Sequence, residues 1–138
     1  MYGFTTTLTD IPFQQALSRT IDALKGEAFG ILSDIDVHGA MKDKLGVEMP
    51  PCQILGACNP KPAYQALQAV PDTGLLLPCN VIVREETPKH IVVGFPNSLM
   101  MVNLVGKPEV QVIADAAEQL LRNSCARFAE KVVPASGV

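Results

Sequence analysis

Two Cys-Asn pairs are the residues of this sequence best suited to chemistry. Cys58-Asn59 precedes Pro60, and Cys79-Asn80 follows Pro78. A thiol that loses its proton can act as a nucleophile or bind a soft metal, and an amide side chain beside it both donates and accepts hydrogen bonds. The candidate ligand-binding or redox residues are therefore Cys58, Asn59, Cys79 and Asn80.

Cys58 is expected beside the start of a helix. Asn59 can cap a helix and Pro60 can open one, so the Cys58 sulfur would lie near free backbone N–H groups and the positive end of the helix dipole. That setting lowers the pKa of a thiol and predicts that Cys58 reacts fastest of the four cysteines. The alternative is a packing role, in which a small residue lets a strand and a helix approach closely.

The other two cysteines are Cys52 and Cys125, and the sequence contains no Cys-x-x-Cys pair and no His at ligand spacing from any cysteine. This pattern excludes a zinc ribbon, and no metal site is predicted. In a reducing compartment such thiols usually behave as small buried apolar groups.

The remaining side chains that could serve as acid, base, ligand or adaptable ligand surface are Asp34, Asp36, Glu85, Glu86, His38, His90, Met100 and Met101. Asp36 already has a structural role as a helix cap, the glutamates flank a turn, and neither histidine has a partner at catalytic or metal-binding spacing. Core filling is the commoner use of methionine. Without a phosphate loop or a serine elbow, a hydrolase or dehydrogenase ranks third among the hypotheses.

Length and composition favour one packed domain over residues 1–138. Hydrophobic residues make up 48% of the chain and charged residues 18%, with a net charge of −3. No basic cluster is present to neutralise phosphates, so nucleic acid is not expected as a partner. The start of the chain lacks the pattern of a signal peptide, and no apolar run approaches the ~20 residues that span a bilayer. We expect a cytoplasmic protein without a membrane partner, and the apolar surplus predicts a homodimer.

The first part of the sequence predicts a β-α-β unit followed by a short helix. A Thr-rich strand over residues 3–9 leads to a helix that is capped by Asp10 and ends at Gly26. A strand over residues 29–36 follows, with Phe29, Ile31 and Ile35 on one face. The short helix carries Val37, Met41 and Leu45 on an apolar side, with Asp36 as its cap and Gly46 at its end.

The second part predicts two further strands around a helix, then a hairpin and a long helix. The strand over residues 53–58 leads into the helix that Pro60 opens, and residues 71–74 form a turn. Pro78 cannot donate to a strand ladder, so we expect it at a bulge or a sheet edge. The apolar stretch over residues 75–84, which contains Pro78, is predicted to be a strand, and residues 90–95 are its hairpin partner. Residues 97–105 favour a helix over a strand. The long helix from Pro108 has Glu118 facing outward, and the whole predicts an α+β fold with a mostly antiparallel sheet under helices.

Two stretches of the chain resemble the family called domain of unknown function 302. They are Ile54-Leu55-Gly56-Ala57-Cys58-Asn59-Pro60 and the run from Gly74 to Glu85 that contains Leu77-Pro78-Cys79-Asn80. The resemblance implies a curved antiparallel sheet covered by helices, similar to one half of the TATA-box-binding protein, and a homodimer. It implies no reaction. Cys52 replaces a usual aromatic residue and Phe95-Pro96 a frequent Asp-Pro, so a family role for that carboxylate does not carry over.

Two hypotheses for the function follow. In the first, the protein binds a small apolar ligand between sheet and helices, with Asn59 and Asn80 as polar contacts. In the alternative, Cys58 or Cys79 carries a persulfide, forms a transient disulfide or ligates a soft cofactor such as haem iron. The sequence identifies no cofactor.

Overall fold

The computed structural model describes residues 2–131, which form a five-stranded sheet and five α-helices. All neighbouring strands pair antiparallel in the order β1-β5-β4-β3-β2. This confirms the predicted α+β class and the antiparallel sheet. In chain order the elements are β1 Gly3–Thr9, α1 Phe13–Gly26, β2 Gly30–Asp36, α2 Val37–Leu45, β3 Cys52–Cys58, α3 Pro60–Ala69, a 3-10 helix Pro71–Leu76, β4 Cys79–Thr87, β5 His90–Pro96, α4 Leu99–Val105 and α5 Pro108–Lys131.

The core lies between one face of the sheet and the helices α1 and α5. Alternate residues of β3, β4 and β5 point into it, and Leu24 of α1 and Leu121 of α5 meet them from above. Each of these side chains is fully buried. The sheet residues at the centre of the core are Leu55, Val81, Val83, Ile91 and Val93.

The first helix begins differently from the prediction. Asp10 has a positive φ of 57° and donates its backbone N–H to the carbonyl of Lys89 at 2.8 Å. Asp10 therefore closes a turn against the β4–β5 hairpin, and α1 starts after Pro12 without a side-chain cap. The prediction of an Asp10 cap is wrong, because a contact distant in sequence fixes this residue outside the helix.

The short helix α2 has the predicted ends, but the side predicted to be apolar and packed is not buried. Asp36 accepts a hydrogen bond from the Gly39 N–H at 3.0 Å, and Gly46 ends the helix with φ 67°. No residue of α2 is buried, and Leu45 is 69% exposed. The preceding strand β2 shows a similar departure, because a register shift between Ile31 and Ser33 leaves Ile35 half exposed.

Pro78 lies immediately before β4, and the Leu77–Pro78 peptide bond is cis. The ladder with β3 starts at the pair Ala57–Cys79, so no sheet hydrogen bond is required of Pro78. β4 lies inside the sheet, between β3 and β5. The prediction of a bulge or a sheet edge at Pro78 is wrong, because Pro78 precedes the first residue of an interior strand and so owes no hydrogen bond to a ladder.

Helix α4 and an ion pair between α5 and the end of α1 complete the layer of helices. Residues 99–105 form helix α4, in agreement with the prediction of a helix rather than a strand in this region. Arg127 of α5 forms an ion pair with Glu27, the residue that follows α1, and its Nε donates to the same carboxylate at 2.8 Å. Within residues 2–131, no helix has the length and apolar character needed to cross a bilayer.

Candidate functional site

The two cysteines of the Cys-Asn pairs lie at the same end of neighbouring strands. β3 ends at Cys58, just before α3, and β4 begins at Cys79. Ala57 is the direct partner of Cys79 in the ladder, so Cys58 is one residue further along. The strands that carry the two Cys-Asn motifs are therefore neighbours in the sheet.

Cys58 and Cys79 are both among the residues that line an apolar recess between this end of the sheet and the helices α3 and α5. Its whole space, including the part open to solvent, is about 510 Å³, and about 40 Å³ of this is available to the centres of water-sized molecules. Only the smaller value can be compared with the volumes of known ligand cavities, because the larger one includes open solvent. The lining residues are Phe29, Ala57, Cys58, Asn59, Pro62, Ala63, Ala66, Thr73, Leu77, Cys79, Val110, Ile113, Ala114 and Ala117.

Both recess thiols are held in the protonated form at neutral pH. Burial raises the pKa of Cys79 to about 11, and the nearby charges of Cys58 and Glu118 add to this increase. Burial also raises the pKa of Cys58. Loss of water around a thiolate removes its hydration, so the neutral form is favoured. A thiolate at Cys58, as expected from the sequence, is therefore not the form that this structure favours.

The start of α3 explains why Cys58 gains little from the helix. Pro60 and Pro62 occupy its first and third positions and have no backbone N–H, so two of the donors expected there are missing. Asn59 precedes the helix, but its side chain makes no capping hydrogen bond. It donates instead to the backbone carbonyl of Glu27 at 3.5 Å. Asn59 therefore holds the predicted N-cap position, but its side chain does not cap the helix.

Asn80 does not join the other three candidates. Successive residues of a strand face opposite sides of the sheet, and Asn80 lines a groove on the face away from the core. We call this surface the open-face groove; its volume is about 610 Å³. It is lined by Tyr2, Gly3, Phe4, Thr5, Ile54, Asn80, Ile82, Arg84, Gly94, Phe95 and Pro96.

Glu118 lies near the recess, and its predicted outward orientation is wrong. Although predicted to face outward, it is 7% exposed and accepts hydrogen bonds from the Ser98 N–H at 2.7 Å and from Arg122 Nε at 2.9 Å. It therefore fixes the connection between β5 and α4 onto α5. The spacing of Glu118 and Arg122, four residues apart on a helix, is the sequence signal of this pair. The buried Ser98 hydroxyl has no hydrogen-bond partner among the described residues.

Four of the acidic and histidine candidates outside the recess, Asp34, Asp36, Glu86 and His90, have local structural partners. Asp34 accepts a hydrogen bond from Gln53 at 2.6 Å, Asp36 caps α2, and Glu86 lies 3.5 Å from Arg84 and 3.9 Å from His90. In the part of the chain that the structure describes, no group of three or more His, Cys, Asp or Glu residues is placed to hold a metal ion. Met100 is 40% exposed, and the Met101 side chain lies outside the described residues.

Comparison with known proteins identifies the family. The family model for the domain of unknown function DUF302 matches residues 4–128. The chain belongs to the DUF302 family. A crystal structure of an uncharacterized conserved DUF302 protein from Bacillus stearothermophilus matches with a TM-score of 0.83 and 28% identity, over 92% of this chain and 98% of that one. No curated protein matches the chain. The recess is thus a feature of a DUF302 domain whose family name carries no reaction.

Proposed function

We propose that this DUF302 domain binds a small apolar ligand in the recess. The observation that carries the proposal is the lining itself, which is built almost entirely from alanine, other aliphatic residues, proline and phenylalanine. Sites for small molecules are typically concave, apolar and roughly 300–1,000 Å³ in size, with few polar groups. The recess is concave and apolar, but its comparable volume is about 40 Å³, which lies below that range and suits only a very small ligand.

The size of the interior limits the ligand. About 40 Å³ for the centres of water-sized molecules admits only a compact group of a few atoms. A ligand would insert such a group and cover the mouth with the rest. The protonated thiols of Cys58 and Cys79 add no charge, and Asn59 supplies a polar contact. Asn80 is not part of this site, because it faces the open-face groove.

Native mass spectrometry of the protein as purified from cells tests this proposal. We expect an adduct of a small organic molecule on the folded chain. Ala63→Leu, which adds bulk at the half-buried lining of α3, should remove the adduct. Ala69→Leu is the matched control, because Ala69 is exposed at the end of the same helix. An adduct that survives Ala63→Leu, or wild-type protein without any adduct, would contradict the proposal.

A second candidate function is thiol chemistry at Cys58 and Cys79. The favouring observation is that Cys58 and Cys79 both belong to the lining of one recess and that the charge of Cys58 adds to the raised pKa of Cys79. With a low-molecular-weight disulfide as oxidant, the two thiols would lose two protons and two electrons to form a transient disulfide; with a small-molecule persulfide as donor, one thiol would accept its outer sulfur and the donor would leave as a thiol. The same mass spectra would then show added sulfur, or the loss of two hydrogens, that a thiol reductant reverses and Cys58→Ser abolishes.

We also propose that the protein is a cytoplasmic homodimer. Four free cysteines suit a reducing compartment. The open-face groove exposes part of Ile54 and Ile82, and Tyr2 at its edge is 82% exposed. Apolar surface of this kind favours association. Sedimentation at micromolar concentration should show a dimer that Ile82→Lys weakens, whereas a monomer in the wild-type protein would exclude the claim.

A further inference from the structure

The two edge strands of the sheet differ in how well they are protected from pairing with another chain. β2, at one edge, carries the exposed Asp34 and Asp36 and has a register shift between Ile31 and Ser33. Charged side chains and irregular pairing are devices that keep an edge strand from adding a further strand. β1, at the other edge, pairs with β5 along its whole length without a shift and contains no charged residue and no proline. Of the two edges, β1 is therefore the unprotected one.

The hydrogen bonds at the two ends of β1 show which of its backbone groups face outward. The Asn97 N–H donates to the Tyr2 carbonyl at 2.9 Å, and the Asp10 N–H donates to the Lys89 carbonyl at 2.8 Å. Both bonds continue the register that pairs β1 with β5. In an antiparallel ladder, residues that bond to the neighbouring strand alternate with residues that do not. The even-numbered residues of β1 therefore bond to β5, and the odd-numbered residues direct their N–H and C=O groups outward. The outward-facing residues are Gly3, Thr5, Thr7 and Thr9.

We propose that β1 pairs antiparallel with β1 of a second copy of this chain, so that two sheets join into one across a two-fold axis at Thr6. The inference rests on the homodimer proposed above and names the strand that forms it. With this axis, Thr5 faces Thr7 of the partner subunit, and Gly3 faces Thr9 of the partner subunit. Each outward-facing residue then meets another one, and such a pair exchanges two hydrogen bonds. A register shifted by one residue would fail, because it sets outward groups opposite residues that already bond to β5.

The composition of β1 suits a second copy of itself as the partner. A two-fold interface places the same residues on both sides of the contact, and an uncharged strand does this without repulsion between like charges. Thr5, Thr7 and Thr9 are exposed, and threonine side chains that face each other on neighbouring strands stabilise a sheet. Tyr2, Gly3 and Thr5 also line the open-face groove, so the grooves of the two copies would meet at the joined strands.

The first experiment is sedimentation of Thr7→Pro at micromolar concentration. Proline removes the outward-facing N–H of residue 7 and leaves the hydrogen bonds to β5 in place, an orientation in which edge strands tolerate proline. Each copy then loses a hydrogen bond across the axis, so the Kd of the dimer should rise by about 10- to 100-fold. Thr7→Val is the matched control, because it keeps the N–H and the branched shape of the side chain, and it should have a much smaller effect.

The second experiment is oxidative cross-linking of Thr6→Cys, which tests the register without weakening the dimer. Thr6 lies opposite its own copy at the axis, in a pair without hydrogen bonds whose Cα atoms are about 4.5 Å apart, within the range of a disulfide. Mild oxidation should give a covalent dimer on non-reducing gels. Thr5→Cys is the matched control, because its two copies would lie more than about 7 Å apart, too far for a disulfide. Wild-type protein oxidised in parallel accounts for the four native cysteines.

The outcomes separate this inference from the homodimer itself. A monomeric wild-type protein would overturn both. A dimer that Ile82→Lys weakens, that Thr7→Pro leaves intact and that Thr6→Cys does not link would keep the homodimer and overturn the pairing of β1. Circular dichroism checks that each variant is folded. If Thr7→Pro does not fold, the Thr6→Cys cross-link decides alone, since its formation supports the pairing and its absence from a dimeric protein overturns it.

Discussion

The two faces of the sheet differ sharply although neighbouring residues of the same strands supply them. On the covered face, Leu55 and Val81 are completely buried under the helices. On the open face, Ile54 and Ile82 are half-buried and line a groove that also contains Arg84. The same alternation puts the side chains of Cys79 and Asn80 on opposite faces of the sheet. A motif of adjacent residues on a strand therefore cannot be assigned to one site until the face of each residue is known.

The largest expected effect is a difference in stability loss between substitutions of two adjacent residues, one on each face of the sheet. Leu55→Ala removes a fully buried side chain from the core and should lower the free energy of unfolding by about 2–5 kcal/mol. Ile54→Ala, on the open face, removes a half-buried side chain and should cost about half as much or less. Urea denaturation of both variants measures the difference. Equal losses would mean that the open face is covered in solution, which would favour the homodimer.

The next effect tests the buried carboxylate beside the recess. Glu118→Gln weakens the charged hydrogen bonds to the Ser98 N–H and Arg122 and should cost about 1–3 kcal/mol of stability. Glu109→Gln, at an exposed position of the same helix, is the control and should change stability by less than about 0.5 kcal/mol. Since the Glu118 charge raises the pKa of Cys79, the same variant should also lower that pKa. Stability and pKa both unchanged would remove Glu118 from the site.

Local sequence signals predicted most of the elements of this fold. Alternation and helical spacing located the strands and helices, and Asp36 and Gly46 marked the ends of α2. The failures arise where a distant part of the chain decides the outcome. Asp10 is held by Lys89, and Glu118 is buried by the Ser98 segment. Neither partner is visible from the local pattern.

The candidate site was predicted only in part, because strand pairing and burial also depend on distant parts of the chain. The sequence showed two similar Cys-Asn motifs, but only the pairing of β3 with β4 shows that their strands are neighbours. The separation of Asn80 followed from the pleat of β4, once the start of that strand was known. The protonation state of Cys58 required the burial of its side chain and the two prolines at the start of α3.

Thiol labelling ranks the cysteines of the recess against the rest of the chain. Cys58 should react with iodoacetamide before Cys79, because burial and two neighbouring charges raise the pKa of Cys79 to about 11. It should also react before Cys125, which packs against the core. The rate at Cys79 should rise by about tenfold per pH unit below its pKa, since the thiolate is the reactive form. Peptide mapping after limited labelling measures all four rates, and a Cys79 rate that is flat between pH 7 and 9 would contradict the raised pKa.

The smallest expected effect concerns the ion pair that ties the end of α1 to α5 on the covered side. The hydrogen bond from Arg127 lowers the pKa of Glu27, against an opposing contribution from burial, and Asn123 and the Arg127 charge lower it further. A carboxylate with a lower pKa in the folded chain stabilises the fold above its unfolded pKa, near 4.5, and this contribution disappears as the pH falls through the folded value. Unfolding of wild type and Glu27→Gln should therefore differ most at neutral pH, by about 1 kcal/mol or less, and converge in acid. Glu48→Gln is the matched control, because its partner Lys42 lies at 3.3 Å with both side chains exposed. A wild-type advantage over Glu27→Gln that persists at pH 3 would show that this contact acts through packing rather than charge.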